Sequence, residues 1–149
     1  MYSPKAASLA IEMGYNDVQI YRPGIIGWAK SGLQLEHNVL YSEEGVPLIS
    51  SKVLATSPKS YEIIDIRPKA HFKKGHIAGA KNVDLEDLHE HYAELLGLDS
   101  VVLVDHKGKL TLTAGRYLIS KGIKTIYRLD GGFNAWVKEG FQVLQVETD

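Results

Sequence analysis

The chain of 149 residues contains no cysteine. That absence removes a thiolate nucleophile, a persulfide carrier, any disulfide and any Cys-ligated zinc site, whatever the fold. Long apolar runs are missing too. None approaches the ~18 residues needed to cross a bilayer, and Met1 to Gly14 lacks the basic start and apolar block of a signal peptide. A cytoplasmic chain without membrane association is the expectation. Charge of one sign is also lacking, since 17 basic side chains stand against 18 acidic ones for a net charge of -1. This excludes the broad electrostatic footprint of a nucleic-acid binder, so partners must be argued from a site. The remaining composition, 44% hydrophobic and 23% charged, is that of an ordinary globular protein. The length suits about one domain, large enough to bury a core without metal or disulfide staples.

An internal repeat is present. Sliding the chain on itself by 108 positions pairs residues 1–34 with 109–142 without a gap, and eight pairs are identical: Ala6/Ala114, Ile11/Ile119, Gly14/Gly122, Gly24/Gly132, Trp28/Trp136, Lys30/Lys138, Gly32/Gly140 and Gln34/Gln142. Chance supplies about two at average residue usage. Gly14 and Gly122 fall where a helix should end, because glycine takes a left-handed cap without steric cost. Each copy reads as helix, strand, helix. Pro4 to Met13 and Thr111 to Lys121 carry apolar residues at helical spacing, with Pro4 suited to a first turn and Thr111 to an N-cap. Val18 to Tyr21 and Thr125 to Leu129 are short β-rich runs. Gly24 to Ser31 and Gly132 to Glu139 form the second helix, anchored in the core by Trp28 or Trp136.

Between the copies, His37 to Pro47 is polar and without sustained periodicity. The expected organisation is a partial repeat over 1–36, a linker over 37–46 and a complete domain over 47–149. In that domain Tyr61 to Ile66 and Val101 to Val104 are apolar enough for strands covered on both faces, and Leu85 to Leu96 supplies a helix between them. The expected fold class is α/β, a doubly wound parallel sheet flanked by helices and preceded by a partial helix-strand-helix repeat.

Three segments in register carry a family resemblance: Asp65-Ile66-Arg67, then Gly75-His76-Ile77-Ala78-Gly79-Ala80-Lys81-Asn82, then Leu129-Asp130-Gly131-Gly132-Phe133-Asn134-Ala135-Trp136. Together with Val101 to Thr111 they resemble the rhodanese-like (sulfurtransferase) family over about 100 residues. The resemblance implies an active loop that leaves a strand and runs into a helix N-terminus, with backbone N–H groups turned inward as an anion cradle. In that family a cysteine at the head of the loop holds sulfur as a persulfide and passes it to a thiophilic acceptor. No cofactor and no metal is implied.

The family's Cys-x-x-Gly-x-Arg-Ser pattern reads here as Asp105-His106-Lys107-Gly108-Lys109-Leu110-Thr111. Gly108 matches strictly and Thr111 is a chemical neighbour of serine. Asp105 stands at the nucleophile position, and a carboxylate cannot store sulfane sulfur. Leu110 replaces the arginine and removes a fork-shaped donor, while Lys107 and Lys109 restore only flexible point charge at the rim. Asp105 is read as an internal anion filling the cradle, in preference to a phosphate-accepting aspartate, which needs a metal and supporting carboxylates. His106 beside it suggests an acid/base pair; solvent exposure is the preferred reading. Asp65 and Arg67 stand two apart near a strand's C-terminal end, as site electrostatics or, preferably, as a brace for neighbouring loops. His76 is read as a packing residue, His89 and His91 as unable to share a helix face, and Lys73 and Lys74 as solvated.

The domain is therefore expected to be a non-catalytic, regulatory or scaffolding module whose partner is a protein or a small anion. Subtracting 108 from 105 puts the first copy's nucleophile position at -3, inside a loop that would precede Met1. The alternative expectation follows: an inactive C-terminal part of a longer tandem thiosulfate/3-mercaptopyruvate-type sulfurtransferase whose cysteine lies upstream. Unpartnered apolar faces on 1–36 also suit a homodimer through that segment.

Overall fold

The computed structural model describes residues 3–23, 31–32 and 45–146. By proximity along the backbone the chain divides into two units, Met1–Asn38 and Val39–Asp149.

In the first unit, α1 (Ser3–Glu12) is followed by Gly14 at φ +95. Its end is closed by Gly14 N–H donating to Ile11 O (3.0 Å) and Tyr15 N–H donating to Ala10 O (3.1 Å), the paired bonds of a Schellman cap. The expected strand at Val18–Tyr21 does not form, and those residues are irregular. A strand exists only through a ladder partner, and among the described residues this unit offers none. The expected helix over 24–31 lies outside the described residues except for Ser31, as do Trp28 and positions 37–44 of the expected linker.

The second unit is built on a parallel sheet. In chain order it comprises β1 (Leu48–Ile49), α2 (Ser51–Thr56), β2 (Glu62–Asp65), α3 (Lys69–Lys74), β3 (Lys81–Asn82), α4 (Leu88–His91), β4 (Val101–Val104), α5 (Leu110–Ser120), β5 (Ile126–Leu129) and α6 (Gly132–Lys138). The strand order is β1-β5-β4-β2-β3, every pairing parallel. Parallel neighbours need crossovers, and the helices that supply them cover both faces. Alternation along the strands divides the core accordingly. Ile64, Val101 and Leu103 join Leu88, Leu95, Ala114 and Leu118 on one face. Ile63, Val102 and Val104 join Leu54, Ile77, Leu129 and Trp136 on the other. All four residues of β4 are buried, which is why its sequence is continuous Val-Val-Leu-Val instead of alternating.

Where a helix was expected over 85–96, the backbone makes one α-turn at α4 and a 3-10 turn over Tyr92–Leu95. Turn chemistry wins at its start: Asp84 accepts Glu86 N–H through its side chain (3.2 Å) and Asp87 N–H through its carbonyl (2.9 Å). Leu88 and Leu95 still reach the core. At the other end of the domain α5 closes on Gly122 (φ +98), with Gly122 N–H on Ile119 O and Ile123 N–H on Leu118 O. These are the bonds of α1 displaced by 108 residues. Trp136 is buried and its Nε1 donates to Gln142 O at 2.9 Å.

Candidate functional site

Strand β4 ends at Val104, and the next five residues form a loop that delivers the chain to α5. This crossing lies at the carboxyl end of the central strands, where open α/β sheets place their ligands. Asp105 is buried, and its carboxylate turns back into the loop it heads. Oδ1 accepts the N–H groups of Lys107 (2.8 Å) and Gly108; Oδ2 accepts those of Leu110 (2.6 Å) and Thr111 (3.2 Å). Four amides thus converge on one carboxylate. Two of them, Leu110 and Thr111, are the first free donors of α5, so Asp105 also caps that helix and meets the positive end of its dipole.

Thr111 was expected to be that cap. It lies instead inside the first turn, fully buried, with Oγ1 making no hydrogen bond, because the helix begins earlier, where Asp105, six residues upstream, accepts the Leu110 and Thr111 N–H groups. Lys109 and Leu110 are exposed, as is Lys107; the positions flanking the cradle present two ammonium stems and an aliphatic side chain to solvent.

The loop is held from behind by the Gly131-Gly132 pair. Gly131 (φ +65) and Gly132 (φ +64) both adopt left-handed backbone, and a Cβ on Gly132 would sit 2.6 Å from Asp105 O and 2.7 Å from the Gly108 and Lys107 nitrogens. Glycine is required here by contact as well as by conformation. The close approach lets the start of α6 grip the loop: Phe133 N–H donates to Asp105 O (2.7 Å) and Asn134 N–H to His106 O (3.0 Å). Arg128 adds a bond from Nη1 to Gly108 O at 3.3 Å while Nε holds Val46 O at 2.9 Å.

Asp65 and Arg67 lie on the neighbouring strand end and form a buried fork. Arg67 Nε donates to Oδ1 (2.9 Å) and Nη2 to Oδ2 (2.6 Å) of Asp65, and Nη2 also reaches Gly75 O (2.7 Å). Its guanidinium lies 3.7 Å from the Phe133 ring centre. Asn82 Nδ2 ties the carbonyls of Asp65 (2.9 Å) and Arg67 (2.8 Å). One arginine therefore links the ends of β2 and α3 to the start of α6. Its donors are consumed in bracing, which leaves little of the fork for a solute. His76 stacks on Phe72 at 4.0 Å and holds Phe72 O through Nδ1 (3.0 Å), while Lys73 and Lys74 are exposed.

His106 departs from the solvent-exposed expectation. It is half-buried and meets His71 of α3 edge to face, ring centres 4.8 Å apart. Burial, then the Arg67 charge and then His71 push its pKa below the ordinary 6.5, against the weaker pull of Asp65 and Asp105. His71 carries no sequence signal of its own; thirty-five positions of chain separate it from its neighbour. A cleft of about 610 Å³ opens at the β3 edge of the sheet, lined in part by Lys69, Phe72, Lys81, Asp87 and Leu95, and includes no residue of the 105–111 loop.

Known proteins share this fold. A family model, the rhodanese-like domain, matches residues 51–139. The thiosulfate sulfurtransferase GlpE of Shewanella oneidensis is 38% identical over 89 residues, 59% of this chain and 87% of that protein. The protein of the same name from Pseudomonas fluorescens is 36% identical over 75 residues, covering 50% of this chain and 68% of its own. Among solved structures, a rhodanese-related protein of Thermoplasma volcanium superposes with a TM-score of 0.62 at 24% identity, over 68% of this chain and 99% of that one. A thiosulfate sulfurtransferase of Pseudomonas aeruginosa superposes with a TM-score of 0.61 at 22% identity, over 97% of this chain and 31% of that one. Likenesses at this identity speak to fold alone.

Two outcomes follow from the loop's geometry. Asp105→Asn places an amide donor among donors and should lower the unfolding free energy by about 3 kcal/mol in urea denaturation at neutral pH, whereas a change within experimental error would mean the four amides do not depend on the carboxylate. In an NMR pH titration His91, raised above 6.5 by its hydrogen bond to Glu94, should take its proton before His106, which is held below 6.5. A depressed folded-state value makes His106 contribute stability that is complete above the unfolded pKa and lost as pH falls from there through the folded value, so His106→Gln should flatten the acid limb of the stability profile.

Proposed function

The chain belongs to the rhodanese-like domain family, and we propose that its 105–111 loop works without catalysis, as a binding and scaffolding element for a protein partner. The observation that carries this reading is the occupancy of the amide ring by the chain's own carboxylate. A second anion in the same ring would meet an unscreened negative charge at contact distance, so a sulfur donor or a free oxyanion has no vacant donors to bind. Nor is there a sulfur atom to receive a sulfane group, since the chain has no cysteine. What faces outward is the rim of Lys107, Lys109 and Leu110, a mixed cationic and apolar surface suited to a protein contact.

A second reading is favoured by the first unit. The gap-free pairing at 108 positions and the matching helix caps support residues 1–36 as part of another rhodanese-like repeat, and the whole chain as the inactive C-terminal part of a tandem sulfurtransferase with its cysteine upstream. Leu9, Ile11 and Met13 are 57%, 61% and 69% exposed, which supports the same segment as an assembly surface, in trans between two copies or in cis with an upstream domain.

Thiosulfate-to-cyanide sulfur transfer by the purified chain should not exceed a heat-inactivated control; turnover above that background overturns the non-catalytic reading. Asp105→Cys gives a chain with a single thiol and should take up one equivalent of iodoacetamide, faster than a free thiol at the same pH if the amide ring lowers its pKa. For the assembly surface, light scattering of the full chain should give a dimer that a chain beginning at Gly45 no longer forms, and two monomers would dismiss it.

A further inference from the structure

We propose that His71 and His106 together bind one divalent transition-metal ion of borderline softness, of the class of zinc(II), nickel(II) or copper(II), across the mouth of the 105–111 loop. The inference concerns a site separate from the amide ring and holds whether or not the domain is catalytic.

The two imidazoles differ from the chain's other described histidines in what their nitrogens do. His76, His89 and His91 each commit Nδ1 to an oxygen, of Phe72, Glu86 and Glu94 respectively. Among the described residues, neither ring of the His71–His106 pair has a hydrogen-bonded nitrogen, although the rings touch each other at 4.8 Å between centres and 86° between planes. The ring nitrogens of half-buried His106 and exposed His71 bond no described protein group and are open to a ligand. Spacing agrees with a shared ion. A metal about 2.0–2.1 Å from a ring nitrogen lies roughly 3.2 Å from that ring's centre, so two rings on one ion at an angle near 100° have centres about 5 Å apart.

Both rings hang from fixed backbone on separate elements. His71 sits on α3, its N–H on Pro68 O at 2.8 Å; the carbonyl of His106 is held by Asn134 N–H, and the carbonyl before it by Phe133 N–H. Only the side-chain torsions remain to be set. The fixed charges acting on His106 are Arg67 and, each more weakly, Asp65 and Asp105, so the two carboxylates offset part of the arginine's repulsion of a dication. Imidazole pairs select borderline transition metals over calcium or magnesium, which require oxygen ligands. No group of three or more His, Asp or Glu ligands is present among the described residues. The remaining positions of the ion therefore go to water or to a donor from a bound partner, and the affinity is modest. Such an ion would pin α3 to the loop.

The test is calorimetric titration of the full, tag-free chain with zinc(II) and with nickel(II) at neutral pH. One equivalent should bind, and His71→Ala and His106→Ala should each weaken binding at least about tenfold. The double variant His89→Gln/His91→Gln, at the exposed pair on α4, should leave affinity within about twofold of the parent. Copper(II) electron paramagnetic resonance should show coupling to two imidazole nitrogens in the parent and fewer in either alanine variant, with circular dichroism confirming that both remain folded. Absence of binding by the parent, unchanged binding in either alanine variant, or loss of binding in the α4 double variant would overturn the proposal.

Discussion

Four backbone amides pointed at one place impose the main constraint on this domain. Loop geometry that turns successive N–H groups inward creates a concentrated positive potential next to a buried strand end, and that potential must be met by an anion. Here the anion is Asp105, covalently part of the ring it fills. Its two oxygens are shared evenly, one with Lys107 and Gly108, the other with Leu110 and Thr111, so that loop conformation and helix start are set by a single side chain. The loop and the carboxylate that fills it form a self-contained structural unit.

The surroundings serve the same end. Gly132 brings α6 to within contact of the loop because it carries no Cβ, and the backbone of Phe133 and Asn134 then holds the carbonyls of Asp105 and His106. In the His106–Lys107 peptide the N–H points inward to the carboxylate while the carbonyl is tied outward to α6, so both ends of that dipole are satisfied. Beside them, the Asp65–Arg67 fork is buried at both partners and anchored to Gly75 and Phe133. A buried ion pair adds little net stability over an apolar replacement, but once present it must keep both partners, which makes it a rigid hub for the strand ends.

Much of this was legible in the residue pattern. The continuous apolar run Val101–Val104 announces a strand buried on both faces. Asp105 at the head of a loop entering a helix announces an internal anion. Other features were not. Thr111 looks like an N-cap because local chemistry favours it, yet a carboxylate from outside the helix caps the turn that begins before it. Residues 85–96 have helical spacing, but Asp84 and Asp87 make turns that interrupt it. The two-residue strands β1 and β3 are too short to leave a periodic signal, and they become strands only because long neighbours offer them an edge.

Composition and local pattern by themselves determined the absence of a cysteine, the α/β class, the cap glycines and the identity of the loop's first residue, because each depends on a residue's own atoms or on neighbours within a turn of chain. Tertiary structure alone decided what lies opposite. Val18–Tyr21 and Ile126–Leu129 are β-rich runs 108 positions apart, yet only the latter is a strand, since it has β4 and β1 on either side. His106 lost its expected solvent because α3 brings His71 against it. Hydrogen-bond ladders and ring contacts need a partner from distant chain, and no reading of one segment contains the position of another.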